Sequence, residues 1–523
     1  MGLLALPAVG SAHDVGGSSF TRLDVGFDGM SIGSAALPAA LPAAGPQSLE
    51  CNETTGMAGP YQCRNVDLVS MAPLPLGGEL PGNDNDMWGW TDPRTGTEYA
   101  IVGTTGGTTF VDLSDPEFPV TVGVLPTSAV GTNVLWRDIK VDGNYAFIVS
   151  EHQGHGMQVF DLRKLRRAGP GPNVFTADTV YRGRDDTGQP LSNSHNIGIN
   201  EETDFAYAVG SNTCDALGTT GENGGLHMID ISEPEDPEFA GCARVQNPPS
   251  NNYVHDVECV IYRGPDSEHR GDEICFGANE DVVTIYDVTD KDNPEVLSQT
   301  TYESAAYTHQ GWLTADQEFF IFGDELDEGL TPPGENTRTY ILQVLDLENP
   351  EDVKTHTHET KAIDHNLYID DGLIYESNYT AGVRILDFTQ QSLENGQLDE
   401  VGFFDTFVAG DPATDPNEFA GTWSNYAFFE SGIVVATSIE GGTFELFVLR
   451  PTGDAVGPGS TGEDPDPGGG GDPGDGDDDD GRGDDDDDED GRDEDDDDDS
   501  DDSDDSDDDR DDGSRDDSDH SDD

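Results

Sequence analysis

Basic residues are scarce in this chain of 523 residues. It contains 24 Lys and Arg against 109 Asp and Glu, which gives a formal net charge of −85 at pH 7. Nucleic acids and anionic lipid surfaces are bound through clusters of Lys and Arg. The composition therefore excludes nucleic acid as a partner.

Long apolar runs and amphipathic helices are missing as well. No run of residues approaches the roughly 18 apolar positions that a membrane-spanning helix needs, so we predict no membrane span. Between residues 51 and 450, short β-branched and aromatic runs alternate with turns of Gly, Pro, Asn and Asp. This alternation is typical of strands, and it predicts a nearly all-β domain over residues 51–450.

The two ends of the chain differ from this domain in composition. Residues 1–12 form an apolar stretch that closes on small residues without a preceding basic segment, which predicts the end of a truncated signal peptide. Residues 13–50 are rich in Ala, Gly, Pro and Ser and predict a flexible leader. Residues 451–523 become an acidic low-complexity tail, and from residue 461 onwards they hold 37 Asp and Glu against four Arg. Self-repulsion and the lack of apolar side chains predict that this tail is disordered.

Seven repeated units organise the β domain. Each unit opens with a short polar signal and continues with a second strand, a third strand that in most units ends in Asp, and a weaker fourth strand. Four antiparallel strands in each unit of roughly 40 to 60 residues are the signature of β-propeller blades, so we predict a seven-bladed β-propeller. The opening signals are Trp88-Gly89, Arg137-Asp138, His195-Asn196, His255-Asp256, His309-Gln310, His365-Asn366 and Trp423-Ser424.

Ring closure is also predicted by the repeat. The seventh unit ends near Arg450 with only three strands. The segment 65–70 is a strand-like run with no unit of its own. We therefore expect it to supply the missing outer strand of the seventh blade.

Six cysteines are present, and none of them forms a CxxC motif. An even number without that motif favours disulfides over a zinc or redox site, and disulfides persist outside the reducing cytoplasm. We therefore expect an extracellular protein, either secreted or associated with the cell surface. Adjacency in the blade scheme selects three pairs: Cys51 with Cys63, Cys214 with Cys242, and Cys259 with Cys275.

Several longer motifs carry a family resemblance across residues 51–450. They include Cys-Arg-Asn-Val-Asp-Leu (63–68), Trp-Gly-Trp-Thr-Asp-Pro (88–93), Trp-Arg-Asp-Ile-Lys-Val (136–141), Tyr-Thr-His-Gln-Gly-Trp-Leu-Thr (307–314) and Asp-His-Asn-Leu-Tyr (364–368). With these motifs the chain resembles secreted bacterial LVIVD-repeat proteins grouped as choice-of-anchor B proteins. The resemblance implies a propeller fold and an extracellular location, but it supplies no biochemical role. The tail shows no sorting motif of the kind that gives the family its name.

Candidate functional residues converge on one face of the predicted propeller. The first strand of each blade lines the central channel, so the opening signals should surround the channel mouth, and the hairpins between second and third strands should lie on the same face. The candidates from the opening signals are Arg137, Asp138, His195, Asn196, His255, Asp256, His309, Gln310, His365 and Asn366. The hairpins add Glu151, His152, His155, Glu280, Asp324, Glu325 and Glu376.

Two interpretations of these residues remain open. Imidazole and carboxylate groups bind divalent metals, and His195, His255, His309 and His365 are the candidate ligands. Alternatively, the same side chains form hydrogen bonds between packed blades, since His195 and His365 share strand parity with apolar neighbours. The cofactor is therefore left open, with a divalent cation as one candidate.

Strong enzyme signatures are missing from the sequence: there is no P-loop, His-Glu-x-x-His, Gly-x-Ser-x-Gly or Rossmann glycine motif. The leading hypothesis is a monomeric extracellular binding or scaffold protein that presents this polar face to an unknown ligand or protein partner. The alternative hypothesis is a metal-dependent hydrolase or lyase that uses the histidines and acids at the channel mouth.

The predicted disulfides lead to a direct test. If all six cysteines are paired within the chain, a thiol reagent should label almost none of them in denatured, unreduced protein, and nearly all of them after reduction. Substantial labelling before reduction would contradict the pairing and the expected oxidising location.

Overall fold

The computed structural model describes residues 48–74, 84–129, 136–169, 171, 173–215, 224–245, 252–329, 336–408, 417–439 and 445–457. The predicted signal peptide, almost all of the leader and the acidic tail beyond residue 457 lie outside the described residues. Within the described part of the chain, no helix is long and apolar enough to cross a membrane.

Three strands precede the repeated units and join the last two blades of the domain. They are β1 (Met57–Ala58), β2 (Tyr61–Arg64) and β3 (Val66–Pro73). The hairpin of β1 and β2 extends the outer edge of the sixth blade, and β3 forms the outermost strand of the seventh.

The first four blades follow in chain order, and neighbouring strands within each are antiparallel. Blade 1 has β4 (Asp84–Thr91), β5 (Glu98–Thr104), β6 (Gly107–Asp112) and β7 (Val120–Pro126). Blade 2 has β8 (Arg137–Asp142), β9 (Tyr145–Ser150), β10 (Met157–Asp161) and, after the short β11 (Asn173–Val174) that pairs with β7 in parallel, β12 (Thr179–Tyr181). Blade 3 has β13 (Asn196–Asn200), β14 (Phe205–Val209), β15 (Leu226–Asp230) and β16 (Glu238–Ala243), and blade 4 has β17 (Asp256–Ile261), β18 (Glu273–Ala278), β19 (Val283–Asp287) and β20 (Glu295–Thr300).

The last three blades repeat the same antiparallel order. Blade 5 has β21 (Thr308–Leu313), β22 (Phe319–Asp324), β23 (Arg338–Gln343) and β24 (Lys354–Thr357). Blade 6 has β25 (Leu367–Asp370), β26 (Leu373–Ser377), β27 (Val383–Asp387) and β28 (Asp399–Phe404), and blade 7 has β29 (Thr422–Tyr426), β30 (Val434–Ser438), β31 (Glu445–Pro451) and β3. The helical elements of the described residues are short: α1 (Gln390–Glu394) and the 3-10 turns Leu162–Arg167, Asp327–Gly329 and Gly453–Ala455.

The seven-bladed all-β propeller predicted from the repeat is confirmed. Its core is divided among the blade interfaces, because both faces of each blade are apolar. Between blades 2 and 3, for example, Phe147 and Val149 pack against Ile197, Ala206 and Ala208, all fully buried. Each of the other six interfaces has a similar cluster.

The predicted closure of the ring is confirmed by the pairing of β3 with β31. The two strands are antiparallel, with Leu68 opposite Leu449 and Met71 opposite Phe447. One strand from near each end of the domain therefore completes blade 7, and no blade is left with an unpaired third strand.

All three predicted disulfides are present, and the described residues contain no free cysteine. Cys259 and Cys275 face each other across β17 and β18. Cys214 lies in the loop after β14 and is joined to Cys242 in β16. Cys51 and Cys63 tie the segment before β1 to β2.

Leu68 provides a test of the closure because it is fully buried between β31 and the sixth blade. Leu68→Ala should lower the free energy of unfolding by about 2 to 5 kcal/mol, as expected when a buried leucine leaves a cavity. Chemical denaturation measures the loss. The matched control is Leu345→Ala, whose side chain is 40% exposed and should cost about 0.5 kcal/mol. Equal losses in the two variants would contradict a closing role for β3.

Candidate functional site

The inner strands of all seven blades bring polar side chains together at the channel mouth. Because these side chains occupy corresponding positions in their blades, they face one small cavity of about 10 Å³, which is room for a single water molecule. The predicted candidates that line it are Arg137, His195, Asn196, His255, His309, His365 and Asn366. Asn85, Asp86, Trp136 and Trp423 complete the lining.

Blade 1 contributes different residues from those that the sequence indicated. The opening signal was placed at Trp88-Gly89, whereas Asn85 and Asp86 line the cavity. The pairing of β4 with β5 shifts register between Asp84 and Met87, and this irregularity displaces the polar pair from the position that a regular strand would give it.

The four predicted histidines form a row along the mouth, which we call the histidine row: His195, His255, His309 and His365. Neighbouring ring centroids are 4.4, 4.2 and 4.2 Å apart in this order. None of the four is more than 7% exposed. The rings therefore contact one another within a site that is largely closed to solvent.

Hydrogen bonds set the protonation of two members of the row. Nδ1 of His255 lies 2.8 Å from the backbone oxygen of His309, and Nδ1 of His365 lies 2.6 Å from that of Trp423. Since a carbonyl oxygen only accepts, each Nδ1 carries the proton and each neutral ring keeps a lone pair on Nε2. Burial lowers the pKa of His255 well below its ordinary value and that of His365 to about 4. Both imidazoles are thus available as neutral ligands.

Glu325 brings a carboxylate to the end of the histidine row that His309 and His365 form. Its Oε2 lies 3.8 Å from Nε2 of His309, and its Oε1 lies 3.8 Å from Nε2 of His365. These distances are too long for hydrogen bonds, yet they suit two ligands of one ion at about 2.0 to 2.2 Å each. One donor atom from each of His309, Glu325 and His365 lies within 4.8 Å of the other two. The structure thus brings together two of the four predicted histidine ligands with one hairpin acid.

The surroundings of Glu325 resemble the outer shell of a metal site. The hydroxyl of Tyr379 donates to Oε1 of Glu325 at 2.7 Å, and such bonds commonly orient ligating carboxylates. Burial raises the pKa of Glu325 to about 7. Nδ1 of His309 is buried without a hydrogen-bond partner among the described residues.

His195 has a different electrostatic state from the rest of the row. Its Nδ1 lies 2.6 Å from Oε1 of Glu151. Burial opposes the charged ring, but the hydrogen bond and the charge of Glu151 outweigh it and raise the pKa of His195. His195 and Glu151 therefore form an ion pair rather than part of the candidate metal set.

The predicted amides and acids behind the row join one blade to another. Asp138 and Gln310 each accept the backbone N–H of a residue in the next blade, and Asn196 and Asn366 each donate to an aspartate of another blade. Such bonds satisfy polar groups that the packed channel buries. The pairs are Asp138 with Ile197 at 2.8 Å, Gln310 with Leu367 at 2.8 Å, Asn196 with Asp256 at 3.1 Å, and Asn366 with Asp86 at 2.9 Å.

A buried lysine in the channel was not predicted from the sequence. Nζ of Lys140 lies 2.8 Å from Oδ1 of Asp138 and 4.7 Å from the centre of the Trp88 ring. Burial alone would lower the pKa of Lys140, but Asp138, Asp86 and Asp256 together raise it. Lys140 lies two residues after Asp138 in β8, so both side chains are on the same face of the strand. This spacing was the sequence signal that could have placed Lys140 in the channel.

The other predicted candidates have partners around the mouth. Nη1 of Arg137 contacts Nε2 of His155 at 2.8 Å, and burial lowers the pKa of His155 to about 3. Asp324 accepts the backbone N–H groups of Ala306 and Tyr307. The remaining hairpin candidates are Glu376, which accepts from Thr339 and Asn378; His152, whose Nδ1 contacts the oxygen of Gln153; and Glu280, which forms a bridge with Thr308.

Residues 136–155 match the LVIVD repeat. This match covers β8 and β9, so the chain is a seven-bladed β-propeller that carries an LVIVD repeat. No curated protein matches the chain significantly.

Among solved structures, the chain is similar to hydrazine synthase of Kuenenia stuttgartiensis, with 12% identity and a TM-score of 0.46 over 72% of this chain and 97% of the other. It is also similar to U3-55K, with 10% identity and a TM-score of 0.42 over 72% and 98%. Neither similarity bears on function.

The pair of His195 and Glu151 predicts a pH dependence of stability. Because the pKa of His195 is raised in the folded state, the pair stabilises the fold below the unfolded value of about 6.5, and this contribution disappears as the pH rises through the folded-state pKa. Glu151→Gln should therefore reduce stability more at about pH 5.5 than at about pH 9. Thermal unfolding at the two pH values measures the difference.

The control is Glu202→Gln, which removes an exposed acid paired with Arg263. A proton NMR titration should show a lower pKa for His195 in Glu151→Gln and no change in the control. An equal loss of stability at both pH values would contradict a charged His195.

Proposed function

We propose that this protein is an extracellular binding protein whose channel mouth holds a divalent metal ion through His309, Glu325 and His365. The observation that carries the proposal is the approach of their three donor atoms to within 4.8 Å of one another. Neutral imidazole at His365 and the carboxylate of Glu325 are suitable ligand groups for such an ion.

The ligand types favour a transition metal. Two imidazole nitrogens with one carboxylate suit zinc and its neighbours, whereas calcium and magnesium prefer oxygen ligands alone. Three protein ligands leave a coordination position for a group from outside the chain. A carboxylate or imidazole of a partner molecule has the chemistry to fill it.

The size of the cavity favours binding over turnover. The described residues leave about 10 Å³ between the side chains at the mouth, which accommodates an ion or a water molecule but not an organic substrate. Trp136 and Trp423 lie beside the two ends of the histidine row.

The extracellular location is supported by chemistry and by resemblance. Three disulfides suit an oxidising environment, and the strongly acidic composition keeps such a protein soluble. The resemblance to choice-of-anchor B proteins points to the same location. The LVIVD match over residues 136–155 is compatible with that narrower assignment.

The second candidate function is a metal-dependent hydrolase or lyase. The specific observation in its favour is the neutral ring of His255, whose centroid lies 4.2 Å from that of His309. A neutral imidazole beside a metal with an open position could act as a general base. Metal-dependent turnover that His255→Ala abolishes while metal binding persists would favour this alternative.

Cobalt binding tests the proposed site in the full chain. Dialysed protein titrated with Co²⁺ should develop the intense visible absorption of a low-coordinate site with nitrogen ligands, saturating at one ion per chain. His309→Ala, His365→Ala and Glu325→Gln should each weaken binding by about 100-fold or more. Loose association with the acidic tail would not give this spectrum.

The matched control is His152→Ala, which removes a histidine from the same face but outside the ligand set. It should bind Co²⁺ as the native protein does. Circular dichroism of the metal-free variants confirms that each is folded. Unchanged cobalt spectra in the folded ligand variants would overturn the proposal.

A further inference from the structure

We propose that Asp327, Glu328 and Asp364, which we call the acidic trio, form a second cation site that binds Ca²⁺ beside blades 5 and 6. One carboxylate oxygen of each residue lies within 4.8 Å of those of the other two. All three side chains are buried, with exposures of 2%, 0% and 5%. This site uses oxygen donors only and does not depend on the metal set at the channel mouth.

The trio lacks most of the hydrogen bonds that buried carboxylates require. Both oxygens of Glu328, both oxygens of Asp364 and Oδ1 of Asp327 are buried without a donor from outside the trio among the described residues. Glu328 interacts with its own backbone and, when protonated, with the carboxyls of Asp327 and Asp364. An unpaired buried charge costs several kcal/mol, and the whole fold of a typical domain is stable by only about 5 to 15 kcal/mol. Something must therefore compensate these oxygens.

Charge balance identifies a divalent cation as the compensating group. Asp327 is paired with Arg338, whose Nη1 lies 2.8 Å from Oδ2, and it also accepts the hydroxyl of Tyr340. Glu328 and Asp364 form no ion pair within the described residues, and the internal segments outside them contain no Lys, Arg or His. When both acids are ionised, their two negative charges match one ion of charge +2.

The backbone is arranged so that the trio can meet. Asp327 and Glu328 belong to the 3-10 turn that follows β22, and Asp364 directly precedes His365 at the start of blade 6. Gly323 in β22 makes the approach possible, because a Cβ there would lie 2.0 Å from Oδ2 of Asp364. Any other residue at position 323 would occupy the space that this carboxylate fills.

Ligand chemistry selects calcium. Carboxylate, carbonyl and water oxygens are the ligands of hard cations, and calcium accepts six to eight of them in flexible geometry. Extracellular modules bind calcium with dissociation constants of about 10⁻⁴ to 10⁻³ M. Three carboxylates, each of which can bind through one or two oxygens, suit this preference.

Bound protons are the competing explanation. Burial raises the pKa of Glu328, and the charges of Asp364 and Asp327 raise it further. The pKa of Asp364 is raised by burial and by Asp327 and Asp324. Without a cation, these acids would hold protons instead. The two explanations differ in whether calcium changes the stability of the protein.

Terbium luminescence and thermal unfolding of the full chain provide the test. Tb³⁺ is a hard cation that emits when excited by a neighbouring tyrosine, and Tyr340 contacts Asp327. The chain beyond residue 457 contains no Tyr or Trp, so emission sensitised by aromatic residues does not come from the tail. We expect saturable Tb³⁺ emission that Ca²⁺ displaces, and an increase in the melting temperature of about 3 °C or more in millimolar Ca²⁺.

The double variant with Glu328→Gln and Asp364→Asn should lose both the Tb³⁺ emission that Ca²⁺ displaces and the increase in melting temperature in Ca²⁺. The matched control is Glu394→Gln with Asp399→Asn, which makes the same change of charge at two exposed positions of blade 6 and should keep both. The double amide variant should also be at least as stable as the calcium-free native protein, because it removes the unpaired carboxylates.

Three outcomes would overturn the proposal. One is a native protein whose melting temperature does not respond to calcium or to a chelator, which would assign protons to the trio. Another is a folded Glu328→Gln and Asp364→Asn variant that responds as the native protein does. The third is a control variant, Glu394→Gln with Asp399→Asn, that loses the calcium response as fully as the trio variant does. None of these results bears on cobalt binding at the channel mouth, so the two sites are tested separately.

Discussion

The antiparallel pairing of β3 with β31 is the constraint on which the rest of the structure depends. A propeller blade buries both faces against its neighbours, so an incomplete blade exposes an apolar edge and weakens two interfaces at once. Pairing residues from near both ends of the domain prevents this. It also fixes the seven inner strands around a common axis, and only then do side chains more than 50 residues apart in sequence meet at the channel mouth.

A channel lined by corresponding positions of seven blades concentrates polar groups in a buried space. Most of them are satisfied by hydrogen bonds to another blade, as with Asp138, Gln310 and Asn196. Function is best sought where this pattern is incomplete. At the end of the histidine row, Nε2 of His309 and Nε2 of His365 each lie 3.8 Å from an oxygen of Glu325, too far for a hydrogen bond between them.

Features set by the repeat could be predicted from the sequence, whereas features set by contacts between blades could not. Blade number, closure by residues 65–70 and the three disulfides follow from the order and spacing of the units. The polar pair of blade 1 was placed at Trp88-Gly89 because a register shift in β4 breaks the regular spacing. The acidic trio was missed because it joins a turn of blade 5 to the residue before β25, and no local pattern connects them.

The scarcity of basic residues gives both candidate cation sites a common physical origin. With 24 Lys and Arg against 109 Asp and Glu, the chain cannot supply a counter-ion to every carboxylate that the packed blades bury. Lys140 meets this need in the channel, where it lies against Asp138. Arg338 is the counter-ion of Asp327, but Glu328 and Asp364 have no basic partner among the described residues. Where the chain has no cation to place beside buried acids, a metal ion is the compensating charge that the surroundings can provide.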